Sequence, residues 1–292
     1  MMRRISFHSV INIFFLFTSL FVLSVMVLDK VDDVTVSISP ITFGVIAVSV
    51  FLYIAIHAVK CARFYLILME FRIPALQFIK LYIKTTFVSI TFPFKIGEVF
   101  KFYSFGKQIK SFRISFLGML TERFFDSCIL LLFLIPYELV TSEKISYLSV
   151  LLLLFIVFFL FVYLFFPSTY RYLNEFMVKK VHSLKAVKAL KALEHGKSLY
   201  RTQKLLVTGR SPFILLLSIV AWILEFSLFS LFVSFFVQGN SVFTVFHRYL
   251  TSVLSQSNDS FFVYYFVFGA IIFSLTTLSI YGFQFLKGRI NR

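Results

Sequence analysis

The chain has 292 residues, of which 59% are hydrophobic and 20% aromatic; only 14% are charged, with a formal net charge of +16. A soluble domain carries about 25% charged residues, so the composition excludes an ordinary soluble globule and points to an all-α, polytopic membrane protein folded as a single integral membrane domain over residues 1–292.

In chain order, the first element is predicted over residues 9–28. This run follows Arg3 and Arg4 and carries no charge, and as a helix it spans about 30 Å, enough to cross a hydrocarbon core. Its length and the lack of an Ala-x-Ala site after it argue for a retained signal anchor rather than a cleaved leader. Five further spans are predicted over residues 41–59, 115–137, 146–166, 212–237 and 261–286. The amino terminus is placed inside, with the spans crossing alternately. The loop at 29–40, with Asp29, Asp32 and Asp33, then falls outside. Of the 29 basic residues only Lys30, Lys144 and Arg248 lie outside with it, and Arg123 lies within the membrane. This distribution obeys the positive-inside rule and puts both termini in the cytoplasm of a multi-pass plasma-membrane protein. Because topology accounts for the basic balance, nucleic acid is not an expected partner.

Residues 75–94, "ALQFIKLYIKTTFVSITFPF", do not fit simple alternation. Lys80 and Lys84 interrupt the segment and basic residues flank both ends, so a full crossing would push one basic cluster outside. A re-entrant segment turning at Pro93 and Gly97 keeps both clusters inside; a helix lying on the surface is the alternative. Residues 168–211 carry ten basic residues against Glu175 and Glu194. Leu173, Met177, Val181 and Leu184 form an apolar stripe at helical spacing, and Lys185, Lys188 and Lys191 recur every third residue. The stretch reads either as an interfacial helix against anionic headgroups or as a solvated linker enforcing topology.

Candidate chemistry lies in charged residues inside apolar runs. "ERFFD" puts Glu122, Arg123 and Asp126 within the third span. A charged residue at mid-membrane costs about 3 kcal/mol, so these three are expected to be paired or functional. On a helix Arg123 and Asp126 are i,i+3 and can pair, while Glu122 shares the face of Asp126. Glu225 in "AWILEF" lies in the fifth span one turn from Trp222, with no local partner in sequence. Glu98 follows the break, between Lys95 and Lys101. Two readings stand: a polar headgroup path, or a buried staple between helices. The five histidines and two cysteines show no metal spacing, and no phosphate loop or nucleophile elbow is present. No metal, cofactor or catalytic residue is therefore expected.

"PFKIGEVFK", Pro93 to Lys101, resembles the Pro-x-x-x-Gly-Glu-x-x-Arg signature of the lysylphosphatidylglycerol synthase transmembrane region, a flippase-like family of integral membrane proteins; Lys101 stands where the family has arginine. "ERFFD" is similar to its Glu-Arg-x-x-Asp, and "WILE", Trp222 to Glu225, to its Trp-x-x-Glu. The family's later Pro- and Gly-rich motif ending in Gly-x-x-Glu has only "SLTTLSIYGFQF" in its place, with Gly282 and neither proline nor glutamate. The soluble aminoacyl-transferring domain of full-length synthases is not found in these residues, so lysyl transfer is not expected.

The resemblance implies translocation or binding of a membrane lipid, anionic or lipid-linked. Lys95, Lys101 and Arg123 would meet a phosphate, and Glu122 and Glu225 a cation or proton; Glu98 and Asp126 would complete the binding set, and Pro93, Gly97 and Trp222 would be structural. A membrane-embedded enzyme, or an assembly subunit with partners in envelope or lipid-linked glycan biosynthesis, is the alternative.

Overall fold

The computed structural model describes residues 7–30, 40–92, 96–141, 145–180, 184–236, 242–255, 265 and 267–279. Within them all regular structure is helical: α1 (Phe7–Lys30), α2 (Pro40–Leu68), a 3-10 turn (Met69–Phe71), α3 (Ala75–Thr91), α4 (Ile96–Ile109), α5 (Phe112–Thr141), α6 (Tyr147–Lys180), α7 (Leu184–Val207), α8 (Ser211–Phe236), α9 (Val242–Ser255) and α10 (Val267–Ser279). The fold class expected from composition is the one observed. Residues 31–39, Lys144, Val181 and Gly282 lie outside the described residues, as do the side chains of Lys30, Lys185 and Arg248.

Among the described residues three helices are long and apolar enough to cross a membrane, over Phe43–Phe71, Tyr147–Lys179 and Ser211–Phe235. The first extends well past the span expected at 41–59, because neither proline nor glycine interrupts the chain between Gly44 and Pro74. The charged helix α5 covers the expected third span, and its charges keep it out of that apolar set. The serine and threonine hydroxyls within these helices largely turn back to their own backbone, as Thr121 does to the Leu117 carbonyl (2.7 Å) and Ser218 to that of Ile214 (2.8 Å). That arrangement satisfies a hydroxyl where no water is at hand.

The long helices α2 and α8 pack against each other along their length. They run antiparallel: Lys60 meets Glu225 near the middle of α8, Arg63 meets Ser218, and Arg210 just before α8 reaches Glu70 just after α2. Helix α5 crosses the same face of α2, where the missing side chain of Gly118 lets Leu68 close in.

Helices α3 and α4 form an antiparallel hairpin. Gln108 at the end of α4 donates to Gln77 at the start of α3 (3.2 Å), while Ser89 and Gly97 touch beside the turn. The chain therefore turns back near residue 92, as the re-entrant expectation required, but both legs are helical and the return leg is α4. At about 1.5 Å per residue the 17 and 14 residues of these legs give roughly 26 and 21 Å, less than a bilayer core.

The basic stretch resolves into two helices rather than one. α6 ends at Lys180 and α7 starts at Leu184, so Leu173 and Met177 belong to a different helix from Leu184. α7 is not a free linker: it packs on α5 and α6, burying Gln203 and Leu206, and Arg113 of α5 donates to Ser198 and Thr202.

Two apolar clusters make the core. One centres on Phe229, Phe232, Phe246, Tyr265 and Phe273, the other on Phe64, Phe78, Phe105, Leu206 and Ile214. Between them α2, α4, α5 and α8 bring ionised side chains together.

Candidate functional site

Helix α2 carries Arg63, 1% exposed, into the bundle. Its guanidinium donates through Nη1 to Asp126 Oδ1 (2.5 Å) and Ser218 Oγ (2.9 Å), and through Nη2 to Asp126 Oδ2 (3.1 Å) and Glu122 Oε1 (3.2 Å). The planar fork suits this task, since two parallel bonds to one carboxylate fix both partners. Glu122 receives a second cation from α4, the Lys101 ammonium at 2.7 Å. That ammonium sits over the rings of Phe64 (4.3 Å) and Tyr82 (5.7 Å), which shield it and add cation–π attraction. The result is a quartet with two positive and two negative charges.

Beside each end of the quartet lies a second, more open pair. Arg123, next to Glu122 in sequence, turns away from the quartet, is half exposed and pairs with Glu98 of α4, which also accepts from Ser89 Oγ (3.3 Å). At the other end Trp222 Nε1 donates to Asp126 Oδ1 (3.2 Å). Its ring lies 5.8 Å from the Lys60 ammonium, and Lys60 pairs with Glu225 at 2.5 Å. Side chains from four helices, α2, α4, α5 and α8, thus line up as one polar ladder: Glu98–Arg123, then Lys101–Glu122–Arg63–Asp126, then Trp222, then Lys60–Glu225. It opens at its far end into a cavity of about 140 Å³ lined by Tyr53, Ile56, His57, Lys60, Ile90, Glu225 and Tyr265.

Sequence reasoning brought most of these residues into view, but it paired them differently. Arg123 does not bond Asp126 on its own helix. Asp126 is taken by Arg63 and Arg123 by Glu98, because side chains one turn apart on α5 face different neighbours once α2 and α4 pack on either side of it. Glu225, which has no local partner in sequence, meets Lys60 of α2. Pro93 and Lys95 lie outside the described residues, whereas Gly97 is buried against the backbone of Ser89.

Sequence reasoning missed Lys60, Arg63 and Ser218. Lys60 and Arg63 read as a cytoplasmic flank of the second span, and Arg63 is instead buried. The available signal was the unbroken helical run through residue 68, which places these two bases at i,i+3 on one face. Among the described residues no group of three His, Cys, Asp or Glu side chains is placed to hold a metal ion.

Fold and site together define a helical membrane protein that carries a charge-balanced polar ladder through an apolar bundle. The family model described as lysylphosphatidylglycerol synthase TM region matches residues 11–257, and the chain belongs to that family. The matched region contains the Pro93–Lys101, Glu122–Asp126 and Trp222–Glu225 stretches. No curated protein and no solved structure matches the chain.

Proposed function

We propose that this protein binds membrane lipids, anionic or lipid-linked, and moves their headgroups across a plasma membrane along the ladder, with both termini cytoplasmic. The observation that supports the reading is the number of ionised side chains: four basic and four acidic groups lie in series, all ion-paired, between an exposed pair and the Lys60–Glu225 cavity. Fastening two helices needs one pair, and each intramembrane charge is costly to insert, at about 3 kcal/mol. Retaining four pairs in a continuous series suits a route better than a rivet.

Within that route the groups have different tasks. The quartet of Arg63, Lys101, Glu122 and Asp126 is saturated and buried, and it sets the field. The exchangeable positions are its open ends. At one, Arg123 meets a phosphate, and Glu98 holds Arg123 until it arrives. At the other, Glu225 takes a cationic group or proton while Lys60 is its resting partner. Trp222 joins the two parts.

The test is lipid scrambling in vesicles reconstituted with the purified protein and labelled anionic phospholipid. Arg123→Ala and Glu225→Gln are compared with the wild type after each is shown to insert and remain folded. Loss of translocation in both variants supports the ladder as a headgroup route. Wild-type rates in both would sink it and leave the charges as a fastening. A wild type inactive on every lipid offered, yet purifying with a stable partner, would favour an assembly subunit instead.

A further inference from the structure

We infer that the protein holds a lipid in two adjoining compartments, an apolar cavity for a hydrocarbon tail and the Lys60–Glu225 cavity for a headgroup bearing both a phosphate and an ammonium. The inference rests on the lipid-binding reading above and gives it a place and a chemical class.

The first compartment is a cavity of about 370 Å³ between α2, α3 and α10, with walls that include Ala58, Cys61, Phe78 and Ile272. It falls within the range of ~300–1,000 Å³ usual for small-ligand pockets. Its almost wholly apolar lining suits a hydrocarbon tail. Its mouth is set by Ile54 on α2 and Ile79 on α3, exposed by 52% and 43%. Both belong to the apolar flank of the bundle, so a tail enters sideways from the hydrocarbon rather than from water.

The second compartment is the 140 Å³ cavity at the end of the ladder. The two share Tyr53 and His57 as wall residues, with ring centroids 4.7 Å apart. His57 is held on the tail side by the Tyr82 hydroxyl (3.4 Å from Nδ1) and by an edge contact with Phe273. An apolar chamber and an ion-pair chamber on either side of one thin aromatic wall match the two halves of an amphipathic molecule.

The headgroup class follows from the pair itself. Lys60 and Glu225 are 22% and 15% exposed and lie 2.5 Å apart. A headgroup with a phosphate alone would take Lys60 and strand the Glu225 carboxylate in a mostly apolar surrounding. A headgroup with phosphate and ammonium exchanges one ion pair for two and strands nothing.

The test uses the full chain in vesicles of phosphatidylethanolamine and phosphatidylglycerol containing a trace of phosphatidylethanolamine with a diazirine at the end of one acyl chain. After irradiation the label is expected on peptides covering residues 53–65 and 75–83. Ile79→Trp at the exposed mouth, and separately Ala58→Phe inside, should each lower that label by at least about tenfold, as expected for loss of a binding site. Excess unlabelled phosphatidylethanolamine should compete about tenfold better than phosphatidylglycerol, and Glu225→Gln should level the two.

Label spread over α6 and indifferent to Ile79→Trp would overturn the tail site. Equal competition by both lipids in the wild type, or stronger competition by a polyprenyl phosphate, would overturn the ammonium requirement; the latter would also assign the tail as isoprenoid. Cavity labelling without scrambling would remove the translocation reading and keep this one, and scrambling without cavity labelling would do the reverse.

Discussion

Replacing Arg63 by methionine tests whether the buried charges act as one unit. The substitution keeps much of the side-chain length and volume and removes the guanidinium. Asp126 then loses both of its Arg63 bonds and retains only Trp222 Nε1 at 3.2 Å, while Glu122 keeps Lys101 at 2.7 Å. The quartet changes from two charges of each sign to one positive and two negative. Breaking a buried ion pair by removing one partner costs about 3–5 kcal/mol, and Asp126 keeps a donor, so a loss near the lower end, about 3 kcal/mol, is expected. Removing Asp126 as well, as Arg63→Met with Asp126→Leu, leaves the neutral Lys101–Glu122 pair and one indole N–H to re-satisfy at about 1 kcal/mol. The double variant is therefore expected within about 1–2 kcal/mol of wild type, less destabilised than Arg63→Met alone.

The assay is denaturant unfolding of the detergent-solubilised protein, followed by the fluorescence of Trp222. The chain has a single tryptophan, and it touches the quartet. A loss under about 1 kcal/mol for Arg63→Met, or a double variant as unstable as the single one, would refute the argument that these charges are mutually dependent.

Three other outcomes follow from local geometry. Gly97→Ala places a Cβ 2.1 Å from the Ser89 Cα, a backbone atom that cannot swing aside, so the α3–α4 hairpin must open. A loss of about 1–3 kcal/mol is expected in the same unfolding assay, and a neutral result would show that the hairpin is looser than described. Lys110 ends α4 in the left-handed region (φ 59°), with Ser111 N–H bonding back to the Gly106 carbonyl at 2.9 Å. Lys110→Gly should stabilise by up to about 1 kcal/mol, read as a higher Tm, and a lower Tm would contradict the strained cap. Glu138, 1% exposed, accepts from Ser146, Ser149 and His247 and so ties α9 to the turn between α5 and α6. Glu138→Gln exchanges an acceptor for a donor there, with a loss of about 1–3 kcal/mol. Hydrogen exchange should rise in α9 before it rises in α2, and unchanged protection of α9 would refute the tie.

The family and the intramembrane charges were legible in the sequence for a simple reason. Glu122, Arg123, Asp126 and Glu225 stand out against apolar neighbours because each is expensive there, so they can be found one helix at a time. Lys60 and Arg63 were hidden by the same logic. They follow an apolar run, as a cytoplasmic flank does, and only continuation of α2 to Leu68 carries them inward. Likewise the basic stretch at 168–211 shows a helical period but not its division between α6 and α7, nor the contacts of Gln203 and Arg113 that dock α7 onto α5.

By itself, then, the sequence determined that this is a helical membrane protein with charged side chains set among apolar ones. Those properties depend on composition, run length and backbone chemistry, all of which are local. Only the tertiary structure decided which base meets which acid: Arg63 with Asp126 and Glu122, Arg123 with Glu98, Lys60 with Glu225. It also decided that an apolar cavity and an ionic one share the wall of Tyr53 and His57. Ion pairs between helices depend on how those helices cross and rotate, and that is set by the packing of residues far apart in the chain.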